Sequence, residues 1–415
     1  MAGWFSRLVV AMTIRMPKWF VGWVSRRYVA GNTIPEAIKV MQRLSKENAC
    51  FTVDVLGEEI STMDEAQYFF DEYSNLIEAI IEHDIDSDLS IKPTAFGLLI
   101  DPEKGYNNIK NLVKLAAEHD MFVRLDMEDH RVTQATIDCV VELHGEGLSN
   151  VGTVYQGRLF RTLDDIDYLE QKLGPAADYR ICKGIYLEPE DIAHTGYSEI
   201  VTATNASIDK MLAAGAYCAV ASHDKPVIDH TLSALESYGM GPGKLDPRKN
   251  AGPSRNGKGP GYEFQMLLGV RGPLRRKLAA AGHKTRVYVP YGEKWYEYSI
   301  RRLQENPTVG AKWLRHSSCL GRIGHDYFLG RFFLRLLLGV TLFFVTSFGI
   351  SGFGLNPSLP SFQACRLSRG VFGSKCSGFG GSCRYILLIS CASTVPLNVL
   401  PEPVCIALMR QTLPS

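Results

Sequence analysis

The chain has 415 residues, 46% hydrophobic and 21% charged, the proportions of a globular protein with room for one large domain plus attachments. Lys and Arg number 45 against 44 Asp and Glu, so the net charge is +1 and no global basic field exists to bind nucleic acid. The balance is uneven, because residues 316–415 hold eight basic residues against Asp326 and Glu402, together with six of the ten cysteines.

The first thirty residues interleave Trp4, Phe5, Trp19, Phe20, Trp23 and Tyr28 with Arg7, Arg15, Lys18, Arg26 and Arg27. That mixture suits a helix on a membrane interface or a helical arm folded onto its own domain; Pro17 and the lack of one aromatic face favour the arm. No cleavable signal peptide opens the chain, and Cys50, Cys139, Cys182 and Cys218 lie scattered in apolar runs, which points to a reducing cytosol. The tail cysteines lack paired zinc spacing, so no metal site is expected.

From Thr33 onward, β-rich runs alternate with helical periodicity. The strand candidates are Cys50–Leu56, Ser90–Leu99, Met121–Asp126, Val151–Gln156, Tyr179–Tyr186, Tyr217–Ser222, Glu263–Val270 and Thr285–Pro290. Helices are expected at Met63–Glu82, Asn107–Glu118, Thr133–Leu143, Leu163–Lys172, Ile200–Ala214, Val227–Tyr238, Leu274–Ala281 and Lys294–Asn306. Eight strands separated by helices match a (βα)8 barrel better than a doubly wound sheet. The Gly- and Pro-dense stretch Gly239–Gly261 reads as a surface loop. Beyond Arg315 the rhythm is lost, and the charge-free run Leu336–Ile350 falls short of the ~20 residues that span a bilayer. The expected organisation is a helical arm over 1–45, a barrel over 46–315, and an atypical tail over 316–415 without a stable fold of its own.

Barrel interiors are ordinarily filled by apolar layers while strand C-termini face the site, so polar residues there carry the functional argument. Lys92 falls in the second strand candidate; Asp126, Glu128 and Asp129 end the third; Gln156 ends the fourth; Arg180, Lys183 and Tyr186 line the fifth; His223 and Asp224 follow the sixth. Any one alone reads as a salt-bridged strand end, but five consecutive strands make a site. The helix after the eighth strand carries Tyr298, Arg301, Arg302 and Glu305, and paired guanidiniums suit a carboxylate or phosphate. P-loop, Rossmann, zincin and nucleophile-elbow fingerprints are missing.

Six blocks in order, Ile91-Lys-Pro-Thr-Ala-Phe-Gly97, Arg124-Leu-Asp-Met-Glu-Asp129, Arg180-Ile-Cys-Lys-Gly-Ile-Tyr186, Tyr262-Glu-Phe-Gln-Met-Leu-Leu-Gly-Val270, Arg286-Val-Tyr-Val-Pro-Tyr-Gly292 and Tyr298-Ser-Ile-Arg-Arg-Leu-Gln-Glu305, resemble the motifs of the proline dehydrogenases, most closely the single-function bacterial enzymes. The resemblance covers residues 25–315. It implies a distorted (βα)8 TIM-like barrel that holds FAD noncovalently, oxidises L-proline to Δ1-pyrroline-5-carboxylate, and passes electrons to a membrane quinone, from the cytoplasm or the inner face of the cell membrane. By motif position it assigns Gln156, Arg180, Lys183, Gly184, His223 and Glu263 to the flavin. Lys92, Asp126, Tyr186, Leu267, Tyr288, Tyr298, Arg301, Arg302 and Glu305 fall to the proline pocket. Leu187 departs from the pattern, since some relatives carry Trp there on the flavin. Two other readings are open: a Schiff-base aldolase using Lys183 or Lys92, and a membrane-anchored scaffold based on the aromatic N-terminus and Leu336–Ile350.

Overall fold

The computed structural model describes residues 21–22, 25–248, 261–296 and 298–300. Within it, eight parallel strands close into a barrel in sequence order. They are β1 (Cys50–Val55), β2 (Ser87–Ile91), β3 (Val123–Leu125), β4 (Val151–Gln156), β5 (Asp178–Cys182), β6 (Tyr217–Ala221), β7 (Tyr262–Leu267) and β8 (Thr285–Tyr291). Around them run α1 (Ile34–Ser45), α2 (Met63–Glu82), α3 (Pro102–Glu118), α4 (Thr133–Gly145), α5 (Thr162–Leu173), α6 (Tyr197–Ala213), α7 (Lys225–Ser237) and α8 (Gly272–Ala280). Closure is made by β1 against β8, with Thr52 opposite Tyr288 and Asp54 opposite Pro290.

Helix starts follow local chemistry. Glu65 accepts from the backbone of Ser61 and Thr62 to begin α2, and Asp101 accepts from Lys104 N at 3.1 Å to begin α3. Three strands stop well short of the C-terminal ends the sequence suggests, and all three shifts shape the barrel mouth. β2 starts earlier and stops at Ile91, because Pro93 opens a short 3-10 turn that Gly97 ends at φ +94. β5 ends at Cys182, and Gly184 turns the chain at φ +94. β7 ends at Leu267 rather than Val270. The expectations for residues 1–20, for 249–260, for Asn306 and the helix leading to it from 301, and for the tail lie outside the described residues.

The hydrophobic core sits between barrel and helices. Outward strand positions such as Val53, Leu89, Val123, Ile181, Val220, Phe264 and Val289 meet Leu76, Leu112, Ile137, Ile166 and Ile208 from the helices. Residues 25–31 lie along the end of β8, where Ala30 N donates to Pro290 O at 2.8 Å and Gly292 N to Gly31 O at 3.0 Å. Val29 packs with Leu56, Trp295 and Tyr298.

Inside the barrel, the expected apolar layers are replaced by a ladder of buried ion pairs. Arg286 Nε donates to Glu263 Oε1 at 2.9 Å, and Arg124 pairs with Asp178. Arg180 pairs with Asp126 at 2.5 Å, and Lys92 with Asp54 at 2.6 Å. Matched charges are the condition under which a low-dielectric interior accepts ions at all. Glu263→Ala removes the nearest acceptor of Arg286, which keeps Asp88 at 3.5 Å and Asp86 at 3.7 Å, so it should cost about 1.5–3 kcal/mol of stability. Urea unfolding checks this, and a cost below 1 kcal/mol would refute it.

Candidate active site

The strand ends surround a cavity of about 400 Å³ at the C-terminal mouth of the barrel. Lys92, Asp126, Tyr186, Leu267, Tyr288 and Tyr298, all assigned to the substrate pocket, line it. Gln156, Arg180, Lys183, Gly184 and His223, assigned to the flavin, line the same space. Glu263 is placed elsewhere: it is fully buried lower in the barrel, accepting from Arg286, Tyr217 and Gln265. Being two residues before Gln265 on β7, it shares the inward face but stands one layer below the cavity. Arg301, Arg302 and Glu305 lie outside the described residues.

Asp126 organises the floor. Its Oδ1 accepts from Ser90 Oγ at 2.6 Å and from Arg180 NH1 at 2.5 Å, and its Oδ2 accepts from the Tyr288 hydroxyl at 2.9 Å. Arg180 is held further by Gln265 Oε1 at 2.5 Å and lies over the Tyr288 ring, 5.4 Å from its centroid. Burial, with Asp126 next, lifts the Tyr288 phenol well above its usual range, so Tyr288 stays protonated as a donor.

Lys183 follows the end of β5, so strand alternation no longer governs it, and its ammonium swings to Asp224 Oδ2 at 2.6 Å. Gly184 is required at its position. A Cβ there would lie 2.6 Å from Gln156 Oε1 and 2.7 Å from Arg158 Cδ, and its φ of +94 also disfavours any other residue. The loop beyond is tied down because Arg158 donates to Tyr186 O, and Glu188 accepts from His130 N at 3.1 Å. Leu187, by contrast, is 98% exposed and buries nothing.

Gln156 is fixed by donating Nε2 to Glu128 O at 2.7 Å, which leaves its Oε1 buried without a hydrogen-bond partner. Burial raises the Glu128 carboxyl to about 7 despite hydrogen bonds from Thr94. Cys182 also lines the cavity, but burial pushes its thiol up to about 11, so it is no nucleophile at neutral pH.

Burial, with the Arg271 and Lys183 cations, pushes His223 down to about 4. Its neutral ring accepts from Leu267 N through Nε2 at 3.0 Å. The unfolded imidazole takes a proton near pH 6.5 while the folded one resists, so stability falls as pH drops from 6.5 toward 4. The full loss from this group is about 3 kcal/mol. Glu128, whose pKa is raised, acts in the opposite sense, losing stability as pH rises through 7. His223→Gln should therefore lose less stability than the wild type between pH 7 and 4 in urea titrations, and parallel curves would rule this out.

Sequence reasoning missed Asp54, Thr52, Ser90 and Gln265. All four point into the barrel from mid-strand positions that read as parts of apolar runs, and only their alternation with outward residues could have marked them.

A closed parallel barrel with a charged cavity at its C-terminal strand ends is the architecture of a (βα)8 enzyme. The family model described as Proline dehydrogenase matches residues 37–312. Proline dehydrogenase 1 of Bacillus subtilis is 33% identical over 287 residues, which span 69% of this chain and 88% of that one. Proline dehydrogenase of Deinococcus radiodurans is 35% identical over 292 residues, with the same shares covered. Among solved structures, proline utilization A (PutA) from Bdellovibrio bacteriovorus, inactivated by N-propargylglycine, superposes with a TM-score of 0.59 at 22% identity. That match covers 68% of this chain and 32% of the PutA chain, and it shows a shared fold. The chain belongs to the proline dehydrogenase family, on the side of its single-function bacterial members.

Proposed function

We propose that the chain oxidises L-proline to Δ1-pyrroline-5-carboxylate, the first step of proline degradation to glutamate, with noncovalent FAD as cofactor and a membrane quinone as final acceptor. The observation that carries this reading is that side chains from seven strands and the loops after them meet in one cavity, with apolar, aromatic and cationic groups together. Leu267, Tyr186, Tyr288 and Tyr298 suit a small ring and exclude water from it. The substrate carboxylate falls to Arg301 and Arg302, with the Lys92 ammonium.

The residues present also fit the dinucleotide. Gln156 Oε1 is an unpaired buried acceptor suited to a ring N–H, Gly184 keeps the wall beside it open, and neutral His223 can lie against an aromatic system. Lys183 and Arg180 supply positive charge for a group that gains electrons. When bound, the flavin provides the hydride acceptor at N5. The protein's own task is positioning: Asp126 holds Tyr288 and Arg180 in register, and the tyrosines set the ring's approach.

Both lysines of the aldolase reading donate to carboxylates, Lys92 to Asp54 and Lys183 to Asp224, which disfavours a free amine nucleophile. Among the described residues no helix is long and apolar enough to cross a membrane. We place the enzyme peripherally at the inner face of the membrane for its quinone, and the catalytic unit at residues 46–315. An absorption spectrum tests the reading: purified protein should be yellow and bleach on adding L-proline. A colourless protein trapped by borohydride with a carbonyl substrate would overturn it.

A further inference from the structure

Lys92 owes its orientation to a residue outside the cavity. Asp54 lies on β1 beneath it, fully buried, with Oδ1 2.6 Å from Lys92 Nζ. The other acids facing Lys92 are engaged elsewhere. Asp126, just after β3, is taken by Ser90, Arg180 and Tyr288, and Glu128 by Thr94. Glu58, in the loop after β1, accepts from the Tyr186 hydroxyl at 3.4 Å. The Arg180 cation and the protonated Tyr288 line the same cavity, and Tyr288 also interacts with Asp54.

We propose that Asp54 is a positioning residue that aims the Lys92 ammonium into the cavity and keeps it charged as a counter-ion for the substrate carboxylate. This rests on the reading that the cavity receives proline. An unpartnered lysine at this depth would shed its proton and become a neutral amine, useless against a carboxylate. Burial does pull Lys92 in that direction, but Asp54, followed by Asp126, more than reverses it and holds the lysine above its usual range. Asp54 itself is raised by burial, which the Lys92 ammonium beside its Oδ1 offsets only in part.

The test uses the flavin-loaded enzyme and tetrahydrofuran-2-carboxylate, which keeps the ring and carboxylate of proline but offers no N–H to oxidise. Binding is read from the flavin absorbance between pH 6 and 9.5. Wild-type affinity should be flat across this range, whereas Asp54→Asn should bind at least tenfold more weakly at pH 9.5 than at pH 6. Asp54→Asn with Lys92→Arg should lose that pH dependence, since a guanidinium does not deprotonate there. An Asp54→Asn enzyme with a flat profile, or one weakened equally at every pH, overturns the proposal. If Asp54→Asn does not fold, the wild-type profile alone decides: affinity that falls tenfold before pH 9.5 overturns it, and a flat profile supports it. Wild-type enzyme that neither binds the probe nor oxidises proline overturns the proline reading, and the role of Asp54 with it.

Discussion

Arg302→Met is expected to lower kcat/KM for proline at least thirtyfold while leaving the flavin content intact. Two adjacent cations three and four residues after Tyr298 in the sequence would meet the only charged group of proline that survives oxidation, its carboxylate. Removing one partner from a desolvated charge pair costs about 2–5 kcal/mol. At about 1.4 kcal/mol per tenfold, that is a thirtyfold to several-thousandfold loss. Steady-state dye reduction and the flavin-to-protein absorbance ratio measure both quantities. Unchanged kinetics would sink the assignment, and prolinamide, which lacks the carboxylate charge, should be a correspondingly poor substrate of the wild type.

The second large effect lies at Asp126. Asp126→Ala removes the acceptor of Ser90, Arg180 and Tyr288 together. It leaves a buried guanidinium uncompensated, which should cost about 3–5 kcal/mol of stability. Activity should fall at least a hundredfold, because Tyr288 and Arg180 lose their shared anchor. A second substitution separates charge from geometry. Since a buried ion pair can often be replaced by apolar groups at little cost, Arg180→Met in the Asp126→Ala background should regain much of the stability but none of the activity. Denaturant unfolding of the two proteins checks this, and a double variant no more stable than Asp126→Ala would contradict the charge argument.

The contrast between Asp126 and Glu263 shows how far motif position carries. Both are acids on or just past barrel strands within recognisable blocks, yet Asp126 lines the cavity and Glu263 is sealed against Arg286. Depth along the barrel axis separates them. That depth depends on the stagger between neighbouring strands, which places Ala219 opposite Glu263 and Gln265 opposite Arg286.

The sequence by itself determined the alternation of eight strands with helices, because period-2 and period-3.6 apolar patterns are local properties of the chain. It also determined which strand ends bear polar groups, and hence the cavity residues Lys92, Asp126, Gln156, Lys183 and His223. Tertiary structure alone decided the pairing of the interior charges. Lys92 with Asp54 spans 38 residues, and Arg124 with Asp178 and Arg180 with Asp126 each span 54, separations set by barrel closure rather than by any local spacing. Pro93 and Gly184 end β2 and β5 locally, but tertiary structure decided what those ends meet. At Lys92 and Lys183 the chain leaves the barrel wall, so both ammonium groups reach carboxylates on neighbouring elements that a continuing strand would have carried them past.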